Sequence, residues 1–268
     1  MLFTVLFYLF FGAFAGIIAG LFGVGGGVVL VPALIYAFSQ AGMPSDVLTH
    51  MAVATSLSVI CVTSISSVLA HHRNGFVLWQ VVKVMAPALI VGSILGVQLA
   101  SRVDGAGLQL MIGIFLILVS IQMGFALMPE GGRGIPAWQE LWPVSAAIGA
   151  LSAMFGIGGG SMTVPYLSIL GVRMQKAVAT SAACGVPIAF ASVLSNLWVG
   201  LDKTQDMEYS VGFVYLPALL GIALMSAPFA KIGAQLAKRL PAQKLKRLFA
   251  VFLVIIGSLM IMKSQGMM

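Results

Sequence analysis

The sequence predicts an all-α polytopic membrane protein made of two pseudo-symmetric halves, each opening with a glycine-broken helix. Three observations predict it. Hydrophobic residues make up 60% of the 268-residue chain and charged residues only 8%, against about 25% charged in an average soluble domain. Apolar runs long enough to cross about 30 Å of hydrocarbon recur along the chain. They are continuously apolar rather than alternating, which excludes a barrel and leaves helices to satisfy the backbone in lipid. Third, the segment GLFGVGGGVVLVP at 20–32 returns as AMFGIGGGSMTVP at 153–165. A run of this kind repeated at half the chain length implies duplication.

The first half, 1–128, holds apolar segments at about 3–22, 28–38, 47–70, 76–100 and 107–127. The N-terminal MLFTVLFYLF lacks a basic region and a cleavage site and is read as the first helix, not as a signal peptide. A polar, glycine-rich linker follows at 129–140. The second half, 141–268, holds segments at 141–155, 161–170, 174–200, 211–230 and 244–262. Beyond the glycine runs, Ala52–Ser56 (AVATS) is echoed by Ala177–Ser181, Pro87 by Pro217, and the aliphatic run from Leu108 by that from Leu245.

Two readings of the glycine-broken element stand. As one interrupted span it gives four crossings per half and parallel halves. As a re-entrant hairpin it gives three crossings and inverts the second half against the first. Lys and Arg concentrate on the cytoplasmic side of membrane proteins. The hairpin reading leaves only Arg102, Lys203 and Lys263 of the 14 basic residues outside. The other reading leaves Arg73, Lys83, Arg133, Lys203 and Lys263 there. Charge bias therefore favours the inverted arrangement, a common transporter plan. The net charge of +7 resides mostly in 231–247, between spans, where it fixes orientation rather than binding nucleic acid.

The candidate site follows from the breaks. Gly25, Gly26 and Gly27, like Gly158, Gly159 and Gly160, strip side chains from the backbone at membrane depth, where irregular chain is tolerated only if protein buries it or it lines a wet cavity. A helix resuming there offers free N–H groups and the positive end of its dipole, an anion cradle. Pro32 and Pro165 bend the resumed helices and shape the cavity. Ser161 and Thr163 stand in the second copy where the first has Val28 and Leu30, so contacts to a ligand are expected to weigh toward the second break. Thr55, Ser56, Thr180 and Ser181 can add neutral hydroxyls, or bond back within their own helices. Asn196 is costly if unpaired in hydrocarbon and should face the bundle or the cavity.

All seven acids (Asp46, Asp104, Glu130, Glu140, Asp202, Asp206 and Glu208) fall in connectors or at span ends. A proton pump or a polyamine carrier would want a carboxylate at the midplane; a small anion held by amides and hydroxyls fits better. No His-Glu-x-x-His, serine triad or paired-acid pattern supports enzymology, and no cofactor or metal is expected. Cys61 and Cys184 read as small buried hydrophobes. His50, His71, His72 and Arg73 flank the element at 47–70; they can recruit anions or titrate near neutral pH, but interfacial placement and charge bias also account for them. A chain this small and apolar can form a homodimer in the bilayer, although its sequence marks no surface for one.

At the paired glycine runs with their following prolines and Thr-Ser pairs, the chain resembles the TauE/SafE sulfite exporter family of bacterial permeases over essentially its whole length. The run His71-His72-Arg73-Asn74-Gly75 is similar to the family's basic connector. The resemblance implies a multi-pass protein of the bacterial inner membrane that moves sulfite, sulfoacetate or other sulfur-containing or organic anions, with export by alternating access as the expectation. An anion channel and a proton-coupled uptake carrier are the alternatives.

Overall fold

The computed structural model describes residues 2–22, 26–124, 134, 137–205, 207–236 and 242–265. It is 84% helical. Among these described residues ten α-helices follow in order: α1 Leu2–Phe22, α2 Gly27–Gln40, α3 Ser45–His72, α4 Trp79–Ala100, α5 Gly105–Gly124, α6 Trp138–Phe155, α7 Gly160–Ile169, α8 Met174–Gly200, α9 Leu216–Leu236 and α10 Ala242–Ser264. Among the described residues five of them, α3, α4, α5, α8 and α9, are long and apolar enough to cross a membrane.

These helices reproduce the apolar segments, with one departure. The stretch from 211, read as the start of a span, begins with a two-stranded antiparallel hairpin, β1 Ser210–Val211 and β2 Val214–Tyr215. Tyr209 and Gly212 at φ 62° and 51° make its turns, and Pro217 then sits in the first turn of α9, where its missing N–H costs nothing. Pro87 lies well inside α4, so the two prolines do not hold matching places.

Small residues set the packing. Gly12, Gly16 and Gly20 of α1 bring the backbone against the carbonyls of Ile222, Ser226 and Ala230 of α9, and Gly233 of α9 lies on the Ile17 carbonyl. The two helices therefore run the same way. Gly92 and Gly96 of α4 meet the carbonyls of Ala146 and Ala150 of α6, and Gly149 of α6 meets that of Leu89, again in parallel. This is the close approach that replaces hydrophobic drive between helices in lipid. Gly96→Leu puts a branched side chain into the Ala150 backbone, which cannot yield, and should cost about 3 kcal/mol or more. Thermal unfolding in detergent checks it; an unchanged transition would mean the α4–α6 contact is looser than described.

Helices α3 and α8 form the centre. Met51, Leu57 and Ile60 of α3 and Cys184 and Ile188 of α8 are fully buried, while Phe10, Leu95, Leu118, Phe190 and Leu220 are exposed, as expected of surfaces meant for acyl chains. Phe7 of α1 lies 6.3 Å from Tyr36 of α2 between ring centroids, and Gly26 comes back beside the carbonyl of Ala15. So α2 runs antiparallel to α1.

Candidate functional site at the two glycine breaks

The two breaks are built alike. Gly26 and Gly159 both adopt the left-handed conformation, φ 77° and 75°, directly before α2 and α7. The Gly26 carbonyl accepts the N–H groups of Val29 and Leu30, both at 3.1 Å; the Gly159 carbonyl accepts those of Met162 and Thr163 at 3.2 and 2.8 Å. The amides of Gly27 and Val28, and of Gly160 and Ser161, thus lead each helix with no intrahelical acceptor. Gly156, φ 69°, ends α6. Gly25 lies outside the described residues.

The breaks meet in the core. A Cβ on Gly27 would run into the carbonyl oxygen of Gly156 and come within 3.0 Å of the Ile157 Cα. A Cβ on Gly156 would meet the Val31 side chain at 2.6 Å and the Val53 Cα at 3.2 Å. Ser56 Oγ donates to the Gly156 carbonyl at 3.0 Å, tying α3 to the second break. From the other side, Gly185 of α8 lets that helix approach the Gly158 carbonyl.

Three hydroxyls at the second break are buried without a hydrogen-bond partner: Ser152, Ser161 and Thr163, exposed by 1%, 7% and 0%. The Cβ position of Gly159 lies 3.6 Å from both Ser152 Oγ and Thr163 Oγ1, so these two flank the turn. Buried hydroxyls normally find partners. The matching places in the first copy are Ala19, Val28 and Leu30, so the polar set belongs to the second break alone. Sequence reasoning found Ser161 and Thr163 and missed Ser152. The same one-sided contrast with Ala19 would have found it.

The paired threonines have a different use. Thr55 Oγ1 accepts the N–H of Tyr215 at 3.0 Å, and Thr180 Oγ1 accepts the N–H of Leu78 at 3.1 Å. Each latches the lead-in of α9 or α4 onto α3 or α8, and each keeps its hydroxyl proton to donate elsewhere. Thr55→Val and Thr180→Val should each cost about 1 kcal/mol by stranding a half-buried N–H, whereas serine should hold the latch. Thermal unfolding of the four variants decides this, and valine variants as stable as wild type would refute it.

Ser181 is fully buried on α8. Asn196 is not brought to the breaks. Its Nδ2 donates to the Ser192 carbonyl at 2.8 Å, and it lies eleven residues beyond Gly185, about 16 Å along the helix. The described acids, Asp46, Asp104, Glu140, Asp202 and Glu208, sit at element ends or in connectors. What the breaks offer a ligand is backbone amides, two positive helix ends and neutral hydroxyls.

A family model described as sulfite exporter TauE/SafE matches residues 8–260. A probable membrane transporter protein of Haemophilus influenzae is 34% identical over 264 residues, covering 97% of this chain and 98% of its own. Similar proteins with the same description occur in Methanocaldococcus jannaschii, 28% identical over 94% of this chain and 93% of the relative, and in Bacillus subtilis, 27% identical over 92% and 93%. No solved structure matches the chain.

Proposed function

The chain belongs to the sulfite exporter TauE/SafE family and is a membrane transporter; from that premise we propose that it carries small sulfur-containing or organic oxyanions across the bacterial inner membrane by alternating access. One observation carries the reading: Ser152, Ser161 and Thr163 are buried and unpartnered beside the leading amides of α7. Hydroxyl and amide donors converging at the positive end of a helix dipole suit an oxyanion. A permeant cation would find no fixed negative charge there.

The halves 1–128 and 141–268, joined by the 129–140 linker, are read as an inverted repeat. The packing supports this. Exchanging the halves carries the α1–α9 contact onto α4–α6, α3–α9 onto α4–α8, and α2–α3 onto α7–α8. The latch of Thr55 on Tyr215 likewise maps onto that of Thr180 on Leu78. The antiparallel course of α1 and α2 supports a re-entrant hairpin that starts and ends on one face. Under this reading His71, His72, Arg73, Arg173 and Lys176 share the face of the basic 231–247 stretch, which charge bias makes cytoplasmic. The latched lead-ins of α4 and α9 are then the inner and outer gates, and rocking of one half on the other opens them in turn. The inside-negative potential favours anion export by roughly 2.3 kcal/mol per charge per 100 mV.

Purified protein in liposomes tests this with sulfite, thiosulfate, sulfoacetate and small carboxylates. Saturable counterflow of at least one sulfur oxyanion is expected. Flux that never saturates would replace the carrier with a channel, and no flux of any of these anions would end the reading.

A further inference from the structure

One face of α3 runs along both breaks. Val53 and Ser56 close on Gly156. One turn on, Ile60 Cδ1 lies 2.8 Å from the Cβ position of Gly27. One turn beyond that, Ser64 Oγ lies 3.1 Å from the Cβ position of Gly185, which the Gly158 carbonyl oxygen approaches to 2.9 Å. Ser64 is thereby joined to the second break, because Gly158 adjoins Gly159, the turn that Ser152 and Thr163 flank. Ser67 follows Ser64 by three residues, so it continues the same face.

The line ends on a hydroxyl with nothing to bond. Ser67 is exposed by 2%, and its Oγ has no hydrogen-bond partner. A serine or threonine inside a helix ordinarily returns its proton to the carbonyl one turn back. Ser58 and Thr63 do so, at 2.9 and 3.1 Å, and Ser66 donates instead to the Ala227 carbonyl of α9 at 2.6 Å. Ser67 does neither. The repeat supplies a comparison within the molecule. Ser67 stands twelve residues after Thr55, and Ser192 stands twelve after Thr180. Ser192 Oγ donates to the Ile188 carbonyl at 2.7 Å, and Ala189 holds the place of Ser64. On this face α3 therefore carries an unsatisfied hydroxyl where α8 carries a satisfied one. A hydroxyl buried in this way costs stability until a partner arrives.

Resting on the oxyanion-carrier reading, we infer that Ser67 is a second binding station: the oxyanion leaves the second break past Ser64 and accepts a hydrogen bond from the Ser67 hydroxyl on its way to the inner mouth of the protein. Ser67 lies about 4.5 Å along α3 from Ser64 and about 6 Å before His71. Under the proposed inverted arrangement that end of α3 is cytoplasmic. Arg73 follows α3 there, and α8 begins with Arg173 and Lys176 close by in sequence, so positive charge waits at the same face. A neutral hydroxyl suits an intermediate station, where binding must be weak enough for the ion to leave.

Two measurements test it. In inside-out membrane vesicles, Ser67→Ala should raise KM for the carried anion about tenfold or more, the scale of one hydrogen bond to a charged group. Purified Ser67→Ala should unfold no earlier than wild type, since no protein partner is lost. Ser192→Ala should leave that KM unchanged. Separately, Ser67→Cys is made with Cys61 and Cys184, the two native cysteines, replaced by alanine. It should react with the small anionic reagent sulfonatoethyl methanethiosulfonate at least tenfold faster in inside-out than in right-side-out vesicles, because from the outer face the reagent must first pass both breaks. Once excess reagent is removed, the labelled protein should no longer carry the anion, whereas Ser192→Cys should not react from the inner face. A wild-type KM in Ser67→Ala, or a thiol at 67 that reacts equally from both faces or from neither, overturns the proposal and leaves the carrier reading standing. Failure of Ser67→Ala to fold would mean that the hydroxyl serves the fold, and is equally fatal. If sulfite, thiosulfate, sulfoacetate and small carboxylates all fail to move through the wild-type protein, the carrier reading falls and this proposal with it.

Discussion

Removing the two hydroxyls that flank Gly159, as Ser152→Ala with Thr163→Val, is expected to weaken substrate binding by about a hundredfold or more while leaving the empty protein as stable as wild type, or more so. The first half follows from hydrogen bonds to a charged ligand, each worth about 1.5–3 kcal/mol. The second half follows from the missing partners. A buried hydroxyl without one costs about 1–3 kcal/mol, and valine fills the volume of threonine without that cost. Binding sites often trade stability for function in this way. Thr55 and Thr180 supply the contrast, because their oxygens accept backbone N–H groups and their valine variants should lose stability. Two measurements decide it: counterflow KM in liposomes and thermal unfolding without substrate. A double variant that unfolds earlier and transports normally would mean the hydroxyls serve the fold.

Gly27→Ala is the second large effect. A single methyl there should cost about 3 kcal/mol or more and abolish transport. Gly27 needs no special backbone angle. It needs space, because its Cβ would run into the Gly156 carbonyl and press on the Ile157 backbone. Ile60 Cδ1, 2.8 Å away, can rotate aside; a peptide group held by Ser56 cannot. The variant must therefore drive the two breaks apart, and with them the surface on which, in the proposed alternating-access mechanism, one half would rock on the other. Gly42→Ala is the control. Gly42 has φ 73° with nothing within 4 Å of a Cβ, so only the left-handed strain of about 1–2 kcal/mol applies, and transport should survive. Equal behaviour of the two variants in unfolding and flux would show that the breaks do not touch.

Much of the fold was legible because lipid enforces it. Apolar runs of spanning length admit one backbone solution, so the helices fall where the runs fall, and glycine triplets mark where helix cannot continue. The hairpin at 210–215 was not legible. Its residues are as apolar as the span beside it, and only the positive φ at Tyr209 and Gly212 separates them. At the candidate site, the contrast of Ser161 and Thr163 with Val28 and Leu30 was visible from the repeat. The use of Thr55 and Thr180 as latches was not, because their partners lie 160 and 102 residues away in sequence. Asn196 was expected to face the bundle or the cavity because polar groups in lipid need partners; it is buried in the bundle and finds its partner in its own helix, at the Ser192 carbonyl.

The sequence alone determined that this chain is a helical membrane protein with two matching glycine breaks, since hydropathy and spacing are local properties that the solvent reads directly. Tertiary structure alone decided that the breaks touch through Gly27 and Gly156 and that three hydroxyls at the second are left without partners. Those are facts about which surfaces close on each other. A hydroxyl's chemistry depends on whether a partner arrives from a distant helix, and no local pattern carries that information.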